Sequence, residues 1–314
     1  MLKYTFALDE NLFALQDALQ TGQYTHGDYH EFMVTEPKER KIRALPFPDR
    51  VLQHAVYSVI EPLFDKKFYV HSYACRHDKG GHAASSQLKS WLYQAHRRNI
   101  DLYCLKCDVR KFFNSVDLQI LYEILKKKIK DKKLLWLFRR ILDLPNETIG
   151  LPIGNLTSQL FANIFLNEID KYIVNEIRPA HYIRYMDDFL LLDANKAKLQ
   201  EARSYIEIYL RDRLHLDLNL KVTRLFPVRM GVEFVGYVHW HNYTKVRKRT
   251  WKREKANMKR SAKKLLARRI TKEKFVNIYA SINGNLQHAD AYKTQNLMNI
   301  FKLQTILKYD KIKN

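Results

Sequence analysis

Three cysteines in 314 residues are too few for a disulfide framework, and their scarcity suits a reducing cytoplasm. Nine glycines and eight prolines leave no low-complexity linker, so subdomains should pack on one another rather than hang on tethers. No fixed period of self-similarity is visible. No apolar run approaches the roughly 18 residues of a membrane span. The first ten residues include Asp9 and Glu10 and lack the apolar core of a signal peptide. Acidic residues are short as well: 33 Asp/Glu face 55 Lys/Arg, a formal net charge of +22.

Hydrophobic residues make up 46%, enough for a sizeable core. The positive charge is lopsided. Residues 241–314 hold 20 Lys/Arg and 4 Asp/Glu, a net of +16, which leaves +6 for the other 240 residues. Lysine-rich helices are usually just solvated surfaces. An excess this one-sided is an electrostatic footprint for a polyanion, with nucleic acid ahead of an anionic membrane because the apolar stripe is weak.

The patterning predicts a short N-terminal helix, then an aromatic polar connection to residue 35. Extended chain follows from Lys38 to Pro48. A helix over residues 50–63 is capped by Asp49, and another covers 82–98 after a loop with Arg76, Lys79 and Gly80–Gly81. Residues 101–109 read as a buried strand ending at Asp108, and a helix with a basic face covers 117–130. Residues 145–152 are turn-rich, and Thr157 caps a long amphipathic helix. Two apolar runs around Asp187–Asp188 make a hairpin. A helix over 196–214, short strands over 216–226 and 232–239, and basic helices from Arg249 complete the chain. The fold class is α+β with a helical appendage.

Adjacent carboxylates at a hairpin tip repel each other, and their neighbours are apolar. A divalent metal would resolve the repulsion, and hard oxygens on a rigid turn suit Mg²⁺, with Mn²⁺ as a substitute. Asp108 ends a strand that would lie beside this hairpin and is followed by Arg110, Lys111, Phe112 and Phe113. Two metals about 3.5–4 Å apart would clamp the attacking and leaving oxygens of a phosphoryl transfer. An Asp–Asp pair alone is more often a solvated turn, and Asp108 alone a strand-end turn former; the combination carries the reading.

The string Tyr185–Met186–Asp187–Asp188 resembles the signature box of reverse transcriptases. Further blocks are similar to that family in the same order. They are Lys41–Ile42–Arg43 with Asp49–Arg50–Val51–Leu52–Gln53, Glu61–Pro62–Leu63–Phe64 with Ser72–Tyr73, Asp108 through Phe113, and Phe234–Val235–Gly236–Tyr237. The resemblance implies a right-hand polymerase. Its fingers would begin with residues 1–100, its palm would span 101–240 with a fingers insertion near 118–156, and a basic helical thumb would occupy 241–314. It places two metals on Asp108, Asp187, Asp188 and the Val109 backbone. Lys41, Arg43, Arg110 and Lys111 would hold the incoming dNTP, with Arg76 or Lys79 assisting. Lys221 sits where the family protonates pyrophosphate. Phe113 sits where a bulky ring excludes a ribose 2′-hydroxyl, whereas Phe112 reads as core. Phe234 to Tyr237 would grip the primer. Arg247, Lys248, Arg249, Lys252, Arg253, Lys259 and Arg260 would track the RNA/cDNA duplex.

Residues 151–163, LPIGNLTSQLFAN, narrow the family. Ile153 stands before Gly154 where most reverse transcriptases carry glutamine, and Gln159 follows Ser158 where most carry proline. This variant resembles the enzymes of diversity-generating retroelements, bacterial or phage-encoded, which copy a template RNA with errors at adenines for mutagenic retrohoming. The resemblance implies a small basic accessory protein as partner. About seventy residues follow the primer-grip block, room for a thumb alone, and the Val-Thr-Gly triplet of retrons is missing. The rivals are a retron, defence or group II intron-like reverse transcriptase without adenine-specific errors, and a catalytically silent nucleic-acid-binding module. Cys104 and Cys107 read as packing rather than zinc ligands. His239 and His241, flanking Trp240, read as surface or nucleic-acid contacts.

Overall fold

The computed structural model describes residues 2–313 apart from 36–38 and Pro145. Lys38 and Pro145, which open the segments read above as extended and turn-rich, lie outside the described residues. In chain order the elements begin with α1 (Leu2–Phe6), α2 (Leu8–Gln20), β1 (His30–Val34), β2 (Arg40–Ala44), α3 (Phe47–Asp65) and α4 (Gly81–Arg97). Then come β3 (Tyr103–Asp108), α5 (Phe112–Ser115), α6 (Leu118–Lys128), α7 (Lys132–Ile141), α8 (Leu156–Tyr172), β4 (His181–Tyr185), β5 (Asp188–Asp193) and α9 (Lys196–Leu214). The chain finishes with β6 (Arg224–Pro227), β7 (Val232–Phe234), β8 (Tyr237–His239), β9 (Thr244–Val246), α10 (Lys248–Leu266), α11 (Lys272–Gln287) and α12 (Tyr292–Lys313). No helix among the described residues is long and apolar enough to cross a membrane.

Two compact units form, Met1–Gly80 with Leu105–Leu225, and Gly81–Cys104 with Phe226–Asn314. They depart from the consecutive blocks expected of the sequence. Helix α4 belongs with the C-terminal residues because its buried face of Leu88, Trp91, Leu92 and Ala95 packs on β8. His82 at its start also stacks on His288, centroids 3.5 Å apart.

The first unit is built on a sheet ordered β4-β5-β3, with β6 at the edge. The hairpin pairs Tyr185 with Asp188, leaving Met186–Asp187 as the turn. Met186 takes φ 54° there, a left-handed conformation that costs a non-glycine residue energy and concentrates at functional sites. Helix α8 is buried on nearly every face and packs on α3 and α6. Its N-cap is Asn155 rather than Thr157, which is itself buried in the first turn. Asp49 likewise does not cap α3: Pro46 does. Asp49 instead is buried, accepting from Tyr24 Oη at 2.7 Å and the Gly27 amide at 3.2 Å. The β1–β2 ribbon, paired from His30↔Ala44 to Val34↔Arg40, replaces a connection expected to be irregular. Residues 216–226 form not a strand but a turn, with β6 alone extended.

In the second unit β7-β8-β9 make an antiparallel sheet. The helices α10, α11 and α12 bury Met258, Leu265, Phe275, Ile282, Leu286 and Met298 together. His239 is not a surface residue: it is buried, its Nδ1 lies 3.3 Å from Thr244 Oγ1, and burial pushes its imidazole down to about 4. The β7–β8 turn is Val235–Gly236, with φ 42° and 89°, the two positive values that a two-residue hairpin of type I′ demands. A β-branched residue is strained in that region. Val235→Asn should therefore raise stability by about 1 kcal/mol, read as a higher urea midpoint. An unchanged or lower midpoint would mean that the valine side chain holds the turn by packing.

Candidate functional site

An open cleft of about 1310 Å³ lies wholly within the first unit. Three stretches of chain supply its aspartates: the end of β3 gives Asp108, the hairpin gives Asp187 and Asp188, and the turn after α9 adds Asp217. The sequence folds this way because strand β3 is an apolar run sandwiched in the sheet, its pattern buried from Cys104 to Cys107. The strand can expose a charge only at its end. The Val109 amide donates to the Asp187 carbonyl at 3.2 Å, which stitches the two acidic stretches together.

Each flanking carboxylate has an anchor that the sequence patterns did not single out. Asn219 Nδ2 donates to Asp108 Oδ1 at 2.8 Å, and the Asn219 amide donates to the Asp108 carbonyl at 2.7 Å. Lys106 Nζ donates to Asp188 Oδ2 at 3.0 Å. Burial pushes the Asp188 carboxyl up to about 6; Lys106 opposes this, while the charges of Asp108 and Asp187 reinforce it. A lysine interrupting an apolar strand two residues before the candidate aspartate was the available sequence signal for Lys106. Asn219 carried none.

No three His, Cys, Asp or Glu side chains already converge as a metal cage among the described residues. The donor chemistry nevertheless fits a hard divalent cation. Asp188 Oδ1 is shut off from solvent without a hydrogen-bond partner, the kind of oxygen a cation satisfies, and Asp108, Asp187 and Asp188 share one cleft.

The cleft brings together Lys41, Arg110, Lys111, Phe112, Phe113, Ile153, Gly154, Gln159 and Lys221 with the aspartates. Phe113 is half-buried on the wall, whereas Phe112 is buried against Phe165. Ile153 is tied to the ribbon: the Arg43 amide donates to its carbonyl at 2.9 Å. Gly154 next to it has φ 129°, and a Cβ there would lie 2.9 Å from the Arg43 carbonyl oxygen, so only glycine lets the two segments approach. Lys41 is exposed and paired with Glu31 at 2.7 Å.

Arg43 and Arg76 stand apart from the cleft lining. The Arg43 guanidinium lies over the Tyr29 ring at 4.2 Å and pairs with Glu147 at 3.4 Å. Arg76 is half-buried, bound to both Asp65 oxygens and to the Tyr69 and Ser72 carbonyls. Its donors hold a loop outside the cleft lining. Lys79 donates to the Val70 carbonyl at 2.9 Å and is equally occupied. Cys104 and Cys107 are buried within β3.

In the second unit Phe234 is buried and Tyr237 donates to the Asn285 carbonyl at 2.8 Å, so this hairpin is braced from behind. Arg247, Lys248, Arg249 and Lys252 line a shallow cavity of about 470 Å³ with Glu233, which pairs with Arg247 at 2.7 Å. Arg253 pairs with Glu254 at 2.8 Å. Lys259 and Arg260 lie further along α10, on its exposed side. Trp240 stacks on Tyr243, centroids 4.5 Å apart, and His241 on His96 at 3.7 Å.

The chain is similar to several known proteins. Protein YkfC of Escherichia coli (strain K12) is 26% identical over 281 residues, covering 76% of this chain and 72% of its own. Group II intron-encoded protein LtrA of Lactococcus lactis subsp. cremoris is 21% identical over 302 residues, covering 73% of this chain but 49% of its own. The chain thus spans about half the length of LtrA, and 31% of the Saccharomyces cerevisiae putative COX1/OXI3 intron 2 protein. Among solved structures, apo telomerase from Candida tropicalis superposes with a TM-score of 0.55 over 92% of this chain and 64% of its own, at 12% identity. That likeness is one of fold, the right-hand polymerase. Residues 35–239 match the family model for reverse transcriptase (RNA-dependent DNA polymerase), and the chain belongs to that family.

Proposed function

We propose that this chain copies an RNA template into cDNA and does so with errors at template adenines, as the enzyme of a diversity-generating retroelement in a bacterial or phage-infected cytoplasm. The observation that carries the finer reading is Ile153 on the cleft wall. Its backbone is fixed by Arg43 and its neighbour Gly154 admits no side chain; in this reading an apolar group takes the place of the glutamine of most reverse transcriptases, whose amide would hydrogen-bond near the new base pair. Losing such a bond weakens discrimination between right and wrong pairs.

Asp108, Asp187, Asp188 and the Val109 backbone would hold two Mg²⁺ ions, or Mn²⁺ in their place. Bound there, the metals supply positive charge to the attacking and leaving oxygens. Lys41, Arg110 and Lys111 orient the triphosphate, with Arg43 bracing the ribbon beside it. Phe113 excludes a ribose 2′-hydroxyl, and Lys221 gives a proton to the departing pyrophosphate. Phe234 to Tyr237 hold the primer end. The basic side of α10, from Arg247 through Arg260, meets phosphates of the RNA/cDNA duplex. A small basic accessory protein is the expected partner.

A second reading has its own support. The likeness to LtrA favours a group II intron-like enzyme without adenine-specific errors. Primer extension on an RNA template, with sequenced products, separates the two. Wild type should misincorporate mainly opposite adenine, and Ile153→Gln should lower that error about tenfold or more. Accurate wild-type synthesis, or an Ile153→Gln enzyme with unchanged errors, supports the second reading.

A further inference from the structure

The polymerase reading leaves a buried lysine under the cleft unused. Strand β3 is apolar at every buried position except Lys106. Its side chain is only 7% exposed. An ammonium is costly to bury unless a partner repays it, and here the partner is the Asp188 carboxylate at 3.0 Å. Residues two apart on a strand share a face, so Lys106 and Asp108 stand on the same face of the sheet, where Lys106 reaches Asp188 of the neighbouring hairpin.

We propose that Lys106 is a positioning residue of the metal site, a fixed internal cation that anchors Asp188 and offsets part of the negative charge the three aspartates crowd together. The inference rests on the reading of the cleft as a divalent-metal site. Asn219 does the neutral counterpart for Asp108, at 2.8 Å, so both carboxylates that flank Asp187 are oriented by a group of the scaffold. Partners of this kind set the direction of a ligating oxygen, and removing one typically costs about 10–100-fold in metal affinity. The Lys106 ammonium is shielded from solvent, so ions in solution screen its charge weakly.

The test uses Mn²⁺ alone, titrated into the full chain bound to a primer–template, with free Mn²⁺ read by electron paramagnetic resonance. Lys106→Met should raise the Mn²⁺ dissociation constant about tenfold. In an Asp188→Asn background the same substitution should change it by less than about twofold, because the pair it acts through is gone. An unchanged constant in Lys106→Met overturns the proposal. So does a tighter one, which would make Lys106 a competitor of the metal. Should Lys106→Met fail to fold by circular dichroism, Lys106→Arg keeps the charge and moves the donor. It should weaken Mn²⁺ binding in the same direction, again only while Asp188 is present, and no change overturns the proposal. A folded wild type that binds no Mn²⁺ sinks the metal-site reading itself. Wild-type binding with an indifferent Lys106 sinks only the positioning role.

Discussion

Asp187→Asn will abolish primer extension while leaving the protein folded. Asparagine has the shape of aspartate and keeps the turn, whose contact with β3 runs through the backbone of Val109 and Asp187. What it loses is charge. A metal at a transferring phosphoryl group contributes several kcal/mol of charge stabilisation. Each 1.36 kcal/mol is about tenfold in rate, so single-nucleotide incorporation should fall on the order of 10³-fold. Asp108→Asn should behave alike. The melting temperature without metal should hold or rise, because Asp108 and Asp187 both push the Asp188 carboxyl upward by repulsion. Asp217→Asn and Glu207→Gln are the sharper controls, since both residues line the same cleft. They should lose less than about tenfold, roughly 1.4 kcal/mol. Equal losses at all four positions would mean that the cleft needs negative charge in bulk rather than ligands at particular places.

The features legible in the sequence were those written in local periodicity. The hairpin around Asp187–Asp188 showed as two apolar runs about a polar centre. Helix α9 began and ended at Lys196 and Leu214 because its apolar spacing is regular and Asn195 caps it through the Lys198 amide. The basic helices declared themselves by charge. Errors arose where distant residues decide. Asp49 has the composition of a cap, but Tyr24 and Gly27 recruit it into the interior. Strand β1 is exposed along its whole length, so no alternation marks it; only pairing with β2 makes it a strand. Leu216 to Thr223 reads as β-favouring, yet Asn219 must turn to reach Asp108 across 111 residues of chain. Helix α7 went unplaced although Asp131 caps it. Of the site, Asp108, Asp187, Asp188 and the residues after Asp108 line one cleft, whereas Arg43 and Arg76 stand apart from it, Arg76 because Asp65, eleven residues away, pairs with its guanidinium.

The largest effect on stability should come from a pair that no motif contains. Arg184 and Asp170 are both wholly buried. Arg184 donates Nε to Asp170 Oδ1 at 2.7 Å and Nη2 to Oδ2 at 2.6 Å, a two-pronged geometry that suits guanidinium and carboxylate. Tyr182 Oη adds a bond to Asp170 Oδ1 at 2.6 Å. The remaining Arg184 nitrogen donates to Asn163 Oδ1 and to the Met186 carbonyl, each at 3.2 Å. The network therefore ends on the residue that precedes Asp187, in the left-handed turn. Asp170→Ala leaves a buried guanidinium unpaired and should cost about 3–5 kcal/mol, a large share of the roughly 5–15 kcal/mol that holds a domain together. Replacing both partners, Asp170→Leu with Arg184→Met, should restore part of that loss, because no buried charge is left unpaired, although the Tyr182 hydroxyl and the Asn163 oxygen lose a partner. Activity should not return with stability. Without Arg184 the Met186 carbonyl loses its donor, and a turn displaced by about 1 Å can cost on the order of 10²-fold in rate. Urea unfolding and single-turnover incorporation on the double variant will show whether the two quantities part. A variant that recovers both would mean that β4 and β5 hold the turn unaided, and that the buried pair serves the core alone.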